Sequence, residues 1–309
     1  MAKLMSKKTK EIVQTTAVLV VAVLFILLYI IYPLIVIPGL TARPDRKKFE
    51  NRNFHPANDP SAFVAAGLMP DTLSIISDDN IHLAALYFGP EVSPSGNKGT
   101  IILLHPDDTD RTSLIDYVRP LLDSGLSVIL YDQRAYGLTG GRYHSAGNLE
   151  ADDLVEVISF LSLRGKLSQP LLIVGFDAGA DAALNAAQNE KRISAVVAIN
   201  PYLNSTRWLA EKKSKNGALS IPFYKSVYAW WYQKLSGYPM ARSNIKEMNP
   251  VNSRTILIEG QVSMNSPEVL NLREISPPNF LTEQPRPKDT DSLRQMILES
   301  IYLLAGNRL

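Results

Sequence analysis

The stretch Leu171–Leu184, LLIVGFDAGADAAL, leaves this chain few folding options. Its first half is a continuous apolar run, as in a strand buried on both faces of a sheet. Gly175 and Gly179 then flank a tight turn, and an alanine-rich helix follows. A strand that passes through so short a turn into a helix is the building unit of an α/β protein. Two questions follow: how far the pattern extends, and what Asp177 does at the tip of the turn.

The pattern extends through most of the chain. DTLSIIS and HLAALYFG flank Asp78-Asp79-Asn80, which is hairpin chemistry. TIILLHP reads as a second buried strand, TSLIDYVRPLLDSG as a helix and LSVILYDQ as a third. In 148–163, Ala151, Leu154, Val155, Ile158 and Leu161 recur at the spacing of one packed helix face. After the opening stretch come the strands ISAVVAINP and RTILIEG, and an amphipathic segment over 291–305. Strands alternating with helices predict a mostly parallel sheet with right-handed crossovers. No internal repeat and no low-complexity tract interrupts it.

A different constraint acts at the N-terminus. No charge occurs between Ile12 and Arg43, and the residues to Leu40 are almost all apolar. A helix needs about 20 such residues to cross the hydrocarbon core. The run exceeds the apolar region of a cleaved signal, and no small-x-small cleavage site follows it. The expected organisation is a basic tail over 1–11, a single-pass transmembrane anchor in lipid over 12–40, a linker over 41–70 and one domain over 71–309. Lys3, Lys7, Lys8 and Lys10 precede the run, and Arg43, Arg46, Lys47, Lys48 and Arg52 follow it, so flanking charge is nearly balanced. The short basic tail favours an inside N-terminus and a periplasmic or extracytoplasmic domain. The 309 residues contain no cysteine, which removes disulfides, thiolate metal sites and a cysteine nucleophile. The net charge of +2 gives no nucleic-acid footprint.

Four motifs, in order, resemble the α/β-hydrolase superfamily, and within it the membrane-anchored serine-hydrolase-like group. ILLHP (102–106) is similar to the strand that leads into that family's oxyanion loop. VILYDQRAYGLTGG is similar to D-x-R-G-x-G-x-S-x-G, with Asp132, Arg134, Gly137, Thr139 and Gly141 in place and Ala135 for a glycine. IVGFDAGADAAL is similar to the nucleophile elbow. SNIKEMNPVNSRTILIEG is similar to the approach to the strand that carries the acid. The likeness spans about residues 70–305.

The resemblance implies a triad, and the positions that should hold it are altered. The nucleophile position is Asp177, the acid position Ser263, and the base position falls nearest Asn279. No histidine follows His144. In the oxyanion loop, His105 precedes Pro106, which lacks a backbone N–H, and Asp107 and Asp108 follow. Carboxylates there repel the negative charge that such a loop, completed by the N–H of Ala178, should stabilise. Asp177 then has three readings. As the first residue before a helix, it would cap the helix N–H groups and meet the dipole. As in the dehalogenases and epoxide hydrolases of this fold, it could form an ester that water, activated by His144, must hydrolyse. With His105, Asp107, Asp108 and Asp110 it could meet a cation, but HPDDTD lacks calcium-loop spacing, so no metal is expected and no cofactor. The other acids of that loop suit capping around Thr109 and Thr112.

Residues 205–246 hold all three tryptophans and a strong excess of lysine and arginine. In the family this connection borders the active-site mouth. Tyr224, Val227, Tyr228, Trp231 and Leu235 fall on one helical face, which packs or meets a partner. Trp208, Tyr228, Trp230 and Trp231 are the candidate surface for lipid or for a membrane-protein partner. The expected function is that of a catalytically degenerate hydrolase acting as a binding or scaffold subunit in a membrane complex. The alternative is an active ester, epoxide or haloalkane hydrolase with Asp177 as nucleophile.

Overall fold

The structure, a computed structural model, describes residues 7–41, 60–89, 96–215, 223–237, 254–258, 281–284, 287 and 289–306. It divides into two compact units. One comprises Ala42–Trp208 with Ala241–Leu309; the other comprises Met1–Thr41 with Leu209–Met240.

The larger unit is built on an eight-stranded sheet. After a short helix α3 (Ser61–Ala65) come β1 (Asp71–Ile76) and β2 (His82–Phe88), an antiparallel hairpin. Its turn is closed by Ser77 N–H on the Ile81 carbonyl (3.0 Å), with Asn80 at φ 63°. There follow β3 (Thr100–Leu104), α4 (Ile115–Asp123), β4 (Ser127–Tyr131), α5 (Leu149–Leu163), β5 (Leu171–Phe176), α6 (Ala178–Ala187), β6 (Ile193–Ile199), β7 (Arg254–Ile258), β8 (Leu281–Gln284) and α9 (Thr290–Leu304). The strand order is β1-β2-β4-β3-β5-β6-β7-β8. From β4 to β8 all pairings are parallel, as the alternation predicts.

The strands β3, β4 and β5 are buried along their whole length, which is why they read as unbroken apolar runs. On one face of the sheet the core is closed by α5, through Ala151, Leu154, Ile158 and Leu161, and by the alanines of α6. On the other face it is closed by Val118 and Leu121 of α4 and Ile297 and Ile301 of α9. Phe63 of α3 is buried against Phe88, at 5.5 Å between rings. The register sets Leu104 beside both Tyr131 and Gly175, and Ile199 beside both Phe176 and Ile258. His105, Asp132, Asp177 and Asn200 therefore leave the sheet along one carboxyl edge, where sites of open α/β sheets form.

Two elements differ from expectation. The segment TSLIDYVRPLLDSG opens with a 3-10 turn over Arg111–Leu114, started by Asp110, whose side chain accepts from Thr112 N–H. The strand β8 arises from NFLTEQP, which shows neither alternation nor an apolar run, and it forms by parallel pairing on β7.

The smaller unit contains α1 (Lys7–Ile26), a π-helical stretch Leu27–Ile31 and α2 (Tyr32–Thr41) in continuous succession. The segment Lys8–Pro38 is long and apolar enough to cross a membrane, a property it shares with signal sequences. Its side chains are largely exposed, Val18 at 67% and Phe25 at 56%. Helix α7 (Ser205–Lys215) runs into this unit at Leu209, and α8 (Tyr224–Ser236) packs on α2. The segment 209–240 thus groups with the N-terminal helices rather than with the sheet.

Candidate functional site

The turn between β5 and α6 is a strained elbow. Asp177 sits at φ 51°, ψ −120°, sparsely populated for a residue with a side chain. The helix starts so close to the strand that only glycines fit beside it. A Cβ on Gly175 would lie 2.3 Å from the Gly179 carbonyl oxygen, and one on Gly179 would lie 2.9 Å from Leu104 Cβ. The backbone of Asp177 is fully engaged: its N–H donates to the Ile199 carbonyl (3.0 Å), and its carbonyl accepts from Ala180 N–H (3.0 Å) and Asp181 N–H (3.3 Å).

The side chain of Asp177 does not cap the helix, contrary to the sequence expectation. With φ positive the carboxylate turns away from the first helical N–H groups. Its Oδ1 instead accepts from Asn200 Nδ2 at 2.5 Å. Asn200 follows β6, is buried, and holds φ 53°. Its own N–H donates to the Ile258 carbonyl at the end of β7 (3.0 Å).

One turn along α6, Asp181 is almost fully buried. Its Oδ2 accepts from Tyr202 N–H (2.9 Å) and its Oδ1 from Leu203 N–H (2.7 Å), so it fixes the loop after β6. Burial pushes this carboxyl up to about 8; the two N–H donors lower it, and the charges of Asp107 and Asp177 raise it further.

The third carboxylate comes from the loop after β3. Asp107 Oδ2 accepts from Trp208 Nε1 (3.0 Å) and from the Tyr202 hydroxyl (3.2 Å). The acid expected to cap its own loop is thereby held from the β6 side. Asp110 keeps the capping role, on Thr112. The Pro106 carbonyl accepts from Thr109 Oγ1 at 2.7 Å. Ala178, the first residue of α6, is buried.

The two site histidines are both buried. His105 Nε2 accepts from Gln133 N–H (3.0 Å), which places the ring proton on Nδ1, 2.9 Å from the Pro106 carbonyl. Gln133 Nε2 also donates to the His105 carbonyl (2.7 Å). His105 is thus a structural imidazole, engaged at both ring nitrogens. His144 lies edge-on to Trp208, 5.1 Å between rings, and tilted against Tyr136 at 5.2 Å. Tyr136 in turn meets His105 edge-on at 5.3 Å. Its hydroxyl is raised well above its usual value, by burial first and then by the Asp107 and Asp108 charges. The loop holding His144 is pinned by buried Glu150, which accepts from Ser145 N–H (2.8 Å) and Gly147 N–H (2.9 Å).

Trp208 is 1% exposed and belongs to this site, not to a surface, which corrects its placement among the candidate lipid or partner contacts. Tyr228 is also buried, whereas Trp230 is 52% exposed and Trp231 intermediate. The positions Ser263 and Asn279 lie outside the described residues. Among the described residues no three His, Cys, Asp or Glu side chains are placed to hold a metal ion. Asn200, Asp181 and Tyr202 escaped the sequence reading. The only signal available was Asn200-Pro201 directly after an apolar strand, at the carboxyl edge.

Comparison with known proteins agrees with this fold. The family profile described as the α/β hydrolase fold matches residues 113–232. A curated relative, the uncharacterized protein YqkD of Bacillus subtilis, is 34% identical over 96 residues, 31% of this chain. That match spans about a third (32%) of the relative's own length. Among solved structures, an esterase of Pyrococcus furiosus superposes with a TM-score of 0.58 at 20% identity, covering 80% of this chain and 94% of the esterase. A 2,6-dihydroxy-pseudo-oxynicotine hydrolase superposes with a TM-score of 0.61 at 15% identity, covering 84% of this chain and 76% of that one. The α/β hydrolase GrgF of a Penicillium species gives 0.53 at 16% identity, covering 77% and 98%. The chain thus has the α/β-hydrolase fold.

Proposed function

We propose that this chain is a membrane-anchored α/β-hydrolase-fold protein without catalysis, serving as a binding or scaffold subunit of a membrane complex. The observation that carries the reading is the use made of the acids at the elbow. Asp177 is engaged by Asn200, Asp107 by Trp208 and Tyr202, and Asp181 by two backbone N–H groups. Each carboxyl group holds a loop, and Asp107 and Asp177 place negative charge where acyl transfer needs positive potential. No histidine occurs in the sequence after His144, so no base stands at the usual place. The apolar helix of the smaller unit, in this reading, is a single-pass anchor with the sheet domain outside the cytoplasm.

The strained backbone of Asp177 favours one rival, since strain of this kind persists at working elbows. There Asp177 Oδ would attack an ester, epoxide or haloalkane carbon, displacing alkoxide or halide or opening the ring. Water activated by His144 would then hydrolyse the resulting alkyl ester, or the anhydride formed from an ester substrate, and restore the carboxylate. The two readings separate in an assay of the full chain in mild detergent against short-chain esters, epoxides and haloalkanes. We expect no turnover above buffer. Turnover that disappears in Asp177→Asn and His144→Ala would establish the rival. Copurification from gently solubilised membranes should return a stoichiometric partner, and recovery of the lone chain would count against the scaffold role.

A further inference from the structure

We infer that α8 is a second membrane contact: a helix seated on the break in the anchor, with Phe223 and Trp230 in the lipid headgroup layer. The inference rests on the reading of the N-terminal helix as an anchor. Its starting point is a backbone defect. Pro33 has no N–H, so the carbonyl four residues earlier, that of Tyr29, loses its α-helical donor. The π-helical stretch Leu27–Ile31 lies at the same place. In a bilayer no water replaces the lost donor, and an unsatisfied carbonyl is costly. Here the donor comes from α8: Trp231 Nε1 donates to the Tyr29 carbonyl at 3.0 Å. A side chain from a segment two hundred residues away in sequence repairs the anchor, and α8 packs along α2 beside it.

The depth of this contact follows from helix geometry. Counted from Ile12 at about 1.5 Å per residue, Tyr29 lies about 26 Å along the helix. The hydrocarbon core is about 30 Å thick, so Tyr29 falls near its far boundary. That boundary is where tryptophan and tyrosine concentrate in membrane proteins. Tyr29, Tyr32, Trp230 and Trp231 all gather there, on the anchor and on the helix that docks on it.

The outer side of α8 has the matching chemistry. Phe223, the residue just before the first turn of α8, and Trp230 within the helix are 82% and 52% exposed. Lys234 continues that side one turn on, its ammonium 5.6 Å from the Trp230 ring centroid. Two large aromatics with a lysine beside them suit the boundary between acyl chains and headgroups, where the ring is partly dry and the ammonium stays wet. The inner side, with Tyr228 and Tyr232 buried, does the packing.

The test places the full chain in nanodiscs of phosphatidylcholine and phosphatidylglycerol and reads tryptophan quenching. Quenchers are lipids brominated near the headgroup end of the acyl chain, lipids brominated near its terminus, and aqueous iodide. Trp230 is observed alone in Trp208→Phe/Trp231→Phe. Because Trp208 is buried in the site, the difference between the native chain and Trp230→Phe supplies the same signal should that variant misfold. Phe25→Trp, with the three native tryptophans replaced by Phe, reports on the anchor itself. We expect at least about twofold stronger quenching of Trp230 by shallow than by deep bromines, as for interfacial tryptophan, with protection from iodide. Phe25→Trp should respond to the deep bromines. If Phe25→Trp responds and Trp230 is quenched only by iodide, α8 faces water and the inference falls while the anchor stands. If Trp230 escapes both bromine and iodide, protein covers that side and the inference falls likewise. If Phe25→Trp escapes the bromines, the anchor reading falls and takes the inference with it.

Discussion

Asp177 and Asp181 lie one helical turn apart and behave differently because their backbones do. Positive φ sends the Asp177 carboxylate off the helix to Asn200, whereas Asp181, inside the helix, points at the loop after β6. Burial and two neighbouring carboxylates raise Asp181 to about 8, from 3.8 for an unperturbed group. A raised carboxyl makes the folded state bind more protons than the unfolded one, so stability falls as pH rises between those values. Asp181→Asn does not titrate, and it also exchanges one acceptor for a donor, leaving one loop N–H without its bond. The variant should be less stable by about 1–3 kcal/mol at low pH, the usual penalty for a buried donor left unsatisfied. As pH rises from about 4 to about 8 in thermal melts, the gap to wild type should close and then reverse, because each pH unit in that window costs the wild type about 1.4 kcal/mol that the variant does not lose. A gap that does not shrink over that range would mean that Asp181 is held ionised.

At the scale of elements, the coupling between α8 and the N-terminal helix is the unusual one. Helix breaks at proline normally find their substitute donor in water or a nearby hydroxyl; here an indole from a distant helix supplies it. Restoring the amide with Pro33→Ala should make the indole redundant. Trp231→Phe should therefore destabilise the native chain more than it destabilises the Pro33→Ala chain. The difference, a coupling of about 1 kcal/mol, is the usual net worth of one hydrogen bond. Thermal unfolding of the four chains in mild detergent measures it. Equal losses in both backgrounds would show that Trp231 contributes through packing alone.

At the scale of the whole larger unit, one guanidinium ties its first hairpin to its helical layer. Arg134, in the loop after β4, donates from Nε and Nη2 to both oxygens of Asp153 on α5 (2.8 and 2.6 Å) and from Nη1 to Asp79 in the β1–β2 turn (2.9 Å). Arg134 and Asp153 are both buried. Beside them, Asp132 accepts from Arg111 N–H and Leu138 N–H, each at 2.9 Å, and Thr139 Oγ1 donates to the Asp132 carbonyl. The D-x-R motif is thus a structural clamp in this chain. Arg134→Ala leaves a buried carboxylate uncompensated and should cost about 3–5 kcal/mol in thermal melts. Replacing the pair together, Arg134→Met with Asp153→Leu, should cost less than either single change, because no buried charge is then stranded. A double variant at least as unstable as Arg134→Ala would show that the clamp geometry, not charge pairing, is what the unit needs.

The sequence by itself determined the α/β class, the membrane-length apolar helix and the position of the elbow. Each of these is written in near neighbours: unbroken apolar runs, a period of 3.6, and glycines two residues either side of Asp177. The strand β8 was not legible, because it exists only through pairing with β7. Only the tertiary structure decided what the acids do, since the partners of Asp107, Asp177 and Asp181 come from segments 21 to 101 residues away. It also moved Trp208 from the expected surface into the site and Trp231 onto the N-terminal helix. The physical reason is the same in each case. A hydrogen bond is satisfied by whichever group the fold brings within 3 Å, and sequence spacing carries that information only inside a single helix, strand or turn.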